Sequence, residues 1–411
     1  MQRGSNVPRL GDFNLRVVLD CIRRSGGVSR VEIAQLTHLS EQTVSNLTRR
    51  LLEQDLIVEL GREIKGVGKP RTMLGLRADG MYSIGVHLDP VSIEVLLMNL
   101  AGEVVERTVV PVADEASPED VVRDMDEAID RIAEGHPDAA DRLMGVGVAV
   151  PGPIDAERGV MINPPLLERW RDVPIATLMS ARLELPVIVE KDLIAAAAGE
   201  AWLRKGTGTP DFLYVYLGAG LGFGLVHDGA VQRGVSHNFG EVNTFIIPTS
   251  APTLECCVIP GSFAHRISPR HLLFAGLDLG LLTCEGVMDA TNSPAKRDHL
   301  VAQMAVAAND GDEAAMQVFL TLAEDLASGL APLSDLLDVS EIVIGGHSWA
   351  HYAHLIQEPL ATGLGERAVL RTARPVHVQS SRAMYEAIAI GAATMVLDDR
   401  VSPDARGLLG R

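Results

Sequence analysis

The chain is short of aromatic residues and of cysteine. Phe, Tyr and Trp make up 4% of its 411 residues although 47% are hydrophobic, so Ala, Val, Leu and Gly must build its cores, as is ordinary for a soluble α/β protein. The four cysteines, Cys21, Cys256, Cys257 and Cys284, include an adjacent pair and lack the spacing of a disulfide scaffold. A reduced cytoplasmic protein is the simplest account. No apolar run approaches the roughly 18 residues that a membrane span needs. The first residues, MQRGSNVPRLGDF, lack the apolar core of a signal peptide. A basic excess is missing too: the formal net charge of −18 argues against indiscriminate attachment to nucleic acid. The length accommodates two to three domains with large cores.

The charge is unevenly spread. Residues 1–80 hold 13 Lys and Arg against 9 Asp and Glu, a net of +4; the remainder holds 23 against 45, a net of −22. A positive segment on an acidic body is a footprint for a polyanion. Within it, residues 29–52, SRVEIAQLTHLSEQTVSNLTRRLL, read as two short helices joined by a tight turn. Ser29 and Glu32 form a capping box, Ile33, Ala34 and Leu36 give an apolar side, and Ser40 caps the second helix. Val44, Leu47, Leu51 and Leu52 recur at i, i+3, i+7 and i+8 as one stripe, which leaves Gln42, Thr43, Ser45, Asn46, Arg49 and Arg50 on the opposite side. Small polar residues suit base edges, and arginines suit phosphates or guanine.

Leu15, Val18, Leu19 and Ile22 mark a supporting helix before this unit, and residues 57–60 and 72–76 read as two strands after it. The loop between them, GREIKGVGKPR, carries Arg62, Lys65, Lys69 and Arg71. Three helices and a basic hairpin form the pattern of a winged helix-turn-helix. Its candidate DNA contacts are Ser40, Gln42, Thr43, Ser45, Asn46, Arg49 and Arg50 on the second helix, with Lys65, Lys69 and Arg71 on the wing. A small helical bundle with a solvated basic loop fits the spacing as well, and His38 stands in a turn that often carries glycine.

From Tyr82 onward the pattern changes to strands alternating with helices, with glycine turns at strand ends. Two or three strands meet in a hairpin at Ala101-Gly102. A helix over 118–135, strands over 143–150 and 186–190, a helix LIAAAAGEAWLR, a strand FLYVYLG, a glycine loop over 218–224, a strand LVHDGAV, a strand over 341–344 and a final helix over 383–397 follow. This order argues for a two-lobed α/β protein with ligands near the strand ends.

The order and content of GVGVAVPGPID, NPPLLERWRDVPIATLM, PVIVEKDLIAAAAGEA, GAGLGFG, GEVN and IVIGG resemble the ROK family of repressors and sugar kinases, over almost the whole chain. A winged helix-turn-helix before such a body resembles the family's transcriptional regulators, such as xylose and N-acetylglucosamine repressors. The resemblance implies an actin/hexokinase-like ATPase fold. The domains expected are residues 1–79 for DNA binding, 80–199 for a first α/β lobe completed by residues 383–411, and 200–382 for a second lobe.

Measured against the family, the first phosphate loop, Asp-x-Gly-Gly-Thr in kinases, reads His87-Leu88-Asp89-Pro90-Val91 here. Both glycines are gone and Pro90 removes a backbone donor; Asp89 is a poor shifted metal ligand. The sugar-binding segments keep Asp192, a general base in relatives, and Glu241, a hydroxyl acceptor, while Lys191 and Asn243 replace an asparagine and a histidine. Asn163, Lys191, Asp192, Glu241 and Asn243 are the effector candidates that the resemblance implies. The zinc motif reads Glu255-Cys256-Cys257-Val258-Ile259-Pro260-Gly261-Ser262, with one thiolate on a ligand position; His265 and His271 lie nearby.

The expectation is therefore no kinase activity, no metal and no cofactor. The chain reads as a cytoplasmic, sequence-specific regulator of carbohydrate-related genes, a repressor, whose homodimer or higher oligomer binds an inverted-repeat operator in double-stranded DNA and senses a sugar or sugar derivative. A sugar kinase with a vestigial DNA module and an effector-independent regulator are the alternatives. Lys191 raises two further readings: an anionic effector, or, preferred, a salt bridge to Glu190 or Asp192.

Overall fold

The computed structural model describes residues 7–63, 70–113, 116–164, 167, 169–204, 211–218, 220–242, 245–247, 261–291 and 293–402, the side chains of 7–11 excepted. The N-terminal unit comprises α1 (Val7–Ser25), β1 (Val28–Ser29), α2 (Arg30–Thr37), α3 (Glu41–Glu53), β2 (Ile57–Glu63) and β3 (Arg71–Leu76). A first lobe follows with β4 (Tyr82–Leu88), β5 (Ser92–Asn99), β6 (Val104–Pro111), α4 (Pro118–Gly135), α5 (Pro137–Ala140) and β7 (Leu143–Val150). It continues with β8 (Ile154–Asp155), β9 (Val160–Met161), α6 (Ile175–Ser180), β10 (Val187–Lys191) and α7 (Asp192–Arg204). The second lobe opens with β11 (Phe212–Leu217), β12 (Leu221–His227) and β13 (Ala230–Gln232), then α8 (Phe263–Arg266), α9 (Pro269–Asp278), α10 (Cys284–Ala290), α11 (Pro294–Asn309) and α12 (Glu313–Leu337). It closes with β14 (Glu341–Gly345), α13 (His347–Arg367) and β15 (His377–Ser380), and α14 (Ala387–Val401) ends the described chain.

The two lobes repeat one design. Their sheets run β10-β7-β4-β5-β6 and β15-β14-β11-β12-β13. In each, an antiparallel meander of three strands (β4-β5-β6, β11-β12-β13) is extended by two parallel strands. Parallel neighbours need a crossover, and the helices between them supply it. Buried on both faces, β11 is a continuous apolar run, whereas β4 alternates apolar residues with the buried Ser83, Gly85 and His87.

Two small-residue helices, α7 and α14, lie between the sheets and share a core of Ala195, Ala196, Ala197, Ala387, Ile388 and Ala392 with Tyr214, Val226 and Val343 of the second sheet. Their contact depends on Gly391, where a Cβ would collide with the carbonyl oxygen of Ala195. From there α14 also reaches the N-terminal unit: Ala389, Ile390, Ala393, Leu397 and Val401 share a core with Val18, Leu19, Ile22 and Trp202.

Four readings of the sequence shift. LVHDGAV is not one strand but the end of β12, a turn at Asp228-Gly229 and the start of β13. The final helix begins at Ala387 rather than 383, after a turn in which the Ala383 carbonyl accepts from Glu386 N–H. The glycine stretch at 218–224 is only partly a loop. Leu221 onward is already strand β12, and Gly222 and Gly224 lie against Leu193 of α7, so those two glycines serve helix–sheet packing. Strand β1, unseen in the sequence, pairs Val28 with Leu74 and turns the wing hairpin into a three-stranded sheet. Among the described residues no helix is long and apolar enough to cross a membrane.

Candidate DNA interface and interlobe cleft

The helix-turn-helix forms as its caps require. Ser29 accepts the Glu32 N–H, and the Glu32 carboxylate accepts the Ser29 N–H at 2.9 Å, closing the capping box. His38 ends α2 with φ 57° and ψ 21°, a left-handed residue doing the work glycine does in other turns. Ser40 accepts the Thr43 N–H and starts α3. Val44, Leu47 and Leu51 are buried as their spacing demands. Leu36 is not: it is 64% exposed, because Ile33 and Ala34 supply the inner face of the eight-residue α2 and Leu39 packs into the core from the turn.

The opposite face of α3 is open. Gln42, Ser45, Asn46, Arg49 and Arg50 are exposed, Ser40 is exposed at the cap, and Thr43 is half-buried with its hydroxyl 2.8 Å from that of Ser40. Their mutual contacts are loose. Gln42 and Arg49 each donate to Asn46 Oδ1 at 3.4 Å, Arg49 lies 4.0 Å from Glu53, and Arg50 lies 3.8 Å from Asp12. Exposed pairs of this kind hold side chains weakly and yield to a better partner. Arg71 is exposed at the start of β3, with Arg62 on β2; Lys65 and Lys69 lie outside the described residues. A further pair had no clear signal in the sequence. Thr48, on the buried side of α3, donates to Val44 O at 2.9 Å and accepts from Arg30 Nε at 3.0 Å, which ties α2 to α3 and sets the angle at which α3 is presented.

The effector candidates scatter more widely. Asn163 is exposed beyond β9, and Asn243 lies outside the described residues. Lys191, Asp192 and Glu241 do meet, where the end of β10 faces the loop after β13. Asp192 keeps part of its surface open to solvent, yet burial pushes its carboxyl up to about 7. Lys191 and the Leu193 N–H, donated at 2.7 Å, pull it down, whereas Asp89 and Glu241 push it up. Burial also raises Asp89, and it lowers His87 to about 3, so that this imidazole is neutral.

Lys191 has a different partner from either reading of the sequence. Its ammonium donates to the carbonyls of Phe239, at 3.1 Å, and Asn238, at 3.5 Å, and lies 3.6 Å from the Glu241 carboxylate. Glu190 is taken instead by Arg233 at 2.6 Å. The charge of Lys191 is thus already met by groups of the chain itself.

The β4–β5 turn is equally self-contained. Asp89 N–H donates to Ser92 O at 2.9 Å, Ser92 N–H to Asp89 O at 3.3 Å, and Val91 N–H to Asp89 Oδ1 at 3.1 Å; Pro90 has no N–H. A nucleotide phosphate needs backbone donors aimed outward at this turn, and all of them point inward. The turn does not fit a triphosphate. Cys256 and Cys257 lie outside the described residues. His265 and His271 meet edge to face at 5.6 Å, and burial with the Arg266 charge lowers His271 to about 4. Among the described residues the one cluster of three or more His, Asp, Glu or Cys side chains within metal-ligating reach is Asp211, just before β11, with His227 and Asp228 of the exposed β12–β13 hairpin.

Comparison with known proteins agrees with both halves. The ROK family model matches residues 83–399, and a winged helix-turn-helix DNA-binding model matches residues 14–58. A xylose repressor of Caldicellulosiruptor bescii is 27% identical over 398 residues, spanning 97% of this chain and 98% of its own. A glucokinase of Halalkalibacterium halodurans is 27% identical over 272 residues, 64% of this chain and 80% of its own. Among solved structures, a ROK family transcriptional regulator, a homolog of the E. coli MLC protein, superposes with a TM-score of 0.74 at 20% identity, covering 96% of this chain and 98% of that one. A ROK glucokinase from Streptomyces griseus, in complex with glucose and AMPPNP, superposes with a TM-score of 0.60 at 24% identity over 76% of this chain and 98% of its own. These structural likenesses are of fold: a winged helix-turn-helix and an actin/hexokinase-like body. With residues 83–399 matched and the repeated lobes built as in its solved members, the chain belongs to the ROK family.

Proposed function

We propose that this protein is a sequence-specific DNA-binding repressor of carbohydrate-related genes, acting in the cytoplasm as a homodimer or higher oligomer on an inverted-repeat operator. One observation carries the reading: α3 holds Gln42, Ser45, Asn46, Arg49 and Arg50 exposed and loosely paired, whereas the turn at Asp89–Ser92 has turned every backbone donor inward. The first surface is built for an outside partner and the second is not. The likeness to a xylose repressor over 97% of the chain, DNA-binding unit included, supports the same reading. Asp192 and Glu241 make the interlobe cleft the candidate effector site, and the protein is expected to turn over no ATP.

A salt titration on DNA from upstream of the protein's own gene tests this. Specific binding should weaken steeply with salt as phosphate contacts release counterions. Absence of specific binding at low salt would overturn the reading, as would ATP consumption with any hexose for the non-enzymatic part. The Lys191–Glu241 pair favours a second reading, regulation without a sugar, because a group of the chain itself engages one of the two cleft carboxylates.

A further inference from the structure

The loop after β13 belongs to the second lobe but is held by the first. Asn238 exchanges two hydrogen bonds with Ile154, accepting its N–H at 2.8 Å and donating to its carbonyl at 2.9 Å. Arg233 donates to Glu190 at 2.6 Å, and the other oxygen of Glu190 accepts the Lys191 N–H at 3.1 Å. Lys191 crosses between these two anchors. Its side chain is 6% exposed, and its ammonium has three acceptors within reach, on Phe239, Asn238 and Glu241. A Cβ on Gly152 would sit 2.9 Å from Lys191 Cε, so the bare glycine leaves the channel that the lysine stem occupies.

A buried ammonium is tolerated only while its hydrogens are satisfied. Here the acceptors come from one lobe and the cation from the other. The arrangement is therefore two-state: either the loop covers Lys191 and the lobes are tied, or the loop leaves and water solvates both sides. The lysine is also well placed to transmit that choice. It directly precedes Asp192, the first residue of α7. At the far end of the same helix, Trp202 packs into the core of the N-terminal unit, with the Arg23 guanidinium of α1 3.9 Å from the centre of its ring. The partner helix α14 reaches α1 as well, through Arg16, which donates to Asp399 O at 2.7 Å.

We propose that Lys191 is a built-in latch: it closes the two lobes with the chain's own polar groups, and its release moves α7 against α1 and so alters the presentation of α3. The latch is independent of the proposed function; only its consequence for DNA rests on that reading.

Amide hydrogen exchange on the full-length protein and on Lys191→Met tests the latch. Amides of residues 233–242 and of Ile154 should exchange at least about tenfold faster in the variant, with β4 and β11 unchanged. Unchanged exchange in the loop overturns the proposal. If Lys191→Met does not fold, Asn238→Ala removes the Ile154 bonds while keeping the lysine, and must loosen the same segment; an unaltered loop there also overturns it. Operator titrations with the same samples read the consequence. A change in affinity of at least about fivefold supports the relay through α7, and equal affinity overturns it. A wild-type protein that binds no operator counts against the repressor reading, while the exchange result still decides the latch.

Discussion

On α3 and in the cleft, the same kinds of polar side chain have opposite fates. Asn46, Arg49 and Arg50 lie in solvent with contacts of 3.4–4.0 Å to their own neighbours. Asn238, Glu190 and Lys191 each have two or more partners, most at 2.6–3.1 Å and drawn from the opposite lobe. A loosely held exposed group loses little when it changes partner, whereas a buried satisfied one loses a great deal. The difference separates a surface that addresses another molecule from one that addresses the protein itself.

The strongest way to break the comparison is to remove the support beneath the exposed face. Leu51→Ala empties a fully buried position in the N-terminal core and should cost about 2–5 kcal/mol, seen as early melting of this unit in thermal or denaturant unfolding. A loss under about 1 kcal/mol would mean that the stripe does not hold α3 in place. Arg49→Ala should leave the melting temperature unchanged and weaken operator binding by roughly 10- to 100-fold, the cost of one or two good contacts. Equal affinity in fluorescence anisotropy would remove Arg49 from the interface.

The cleft side is sharpened by pH. Burial raises the Asp192 carboxyl to about 7, helped by Asp89 and Glu241 and opposed by Lys191. An acid with a raised folded pKa binds its proton more tightly when folded. Its contribution to stability is full below the ordinary Asp range near 4 and is lost as pH rises to about 7. Asp192→Asn should therefore gain on wild type across that window, reaching about 1–3 kcal/mol by pH 8, and a pH-independent difference in unfolding free energy would contradict the assignment. The smallest effect concerns the turn. His38→Gly relieves a left-handed residue but adds freedom to the unfolded chain, so calorimetry should find a net change within about 1 kcal/mol. A larger loss would assign the imidazole a contact of its own.

Much of the helix-turn-helix was legible in its sequence because its determinants are local. A capping box spans four residues and an apolar stripe spans two turns, so Ser29, Glu32, Ser40, Val44 and Leu51 announce themselves. Leu36 misled because it is apolar and three residues from Ile33 on the same short helix, and only the packing of Ile33, Ala34 and Leu39 explains its exposure. The β4–β5 turn was half legible: the missing glycines and Pro90 could be read, but not that Asp89 and Ser92 bond to each other.

For Lys191 the sequence offered Glu190 and Asp192, its chain neighbours, and the actual partner stands 50 residues away on the other lobe. Sequence by itself determined most elements of this protein: which segments are helical, where the caps of the helix-turn-helix lie, which face is apolar, which loops carry charge, and that the family's phosphate turn is altered. These follow from interactions within a few residues of each other. Tertiary structure alone decided the pairings: β1 with β3, α7 against α14 through Gly391, Arg23 over Trp202, and Lys191 beneath Phe239 and Glu241. Such pairings depend on where two distant segments meet, and an ammonium takes whichever acceptors the fold brings within about 3 Å of it.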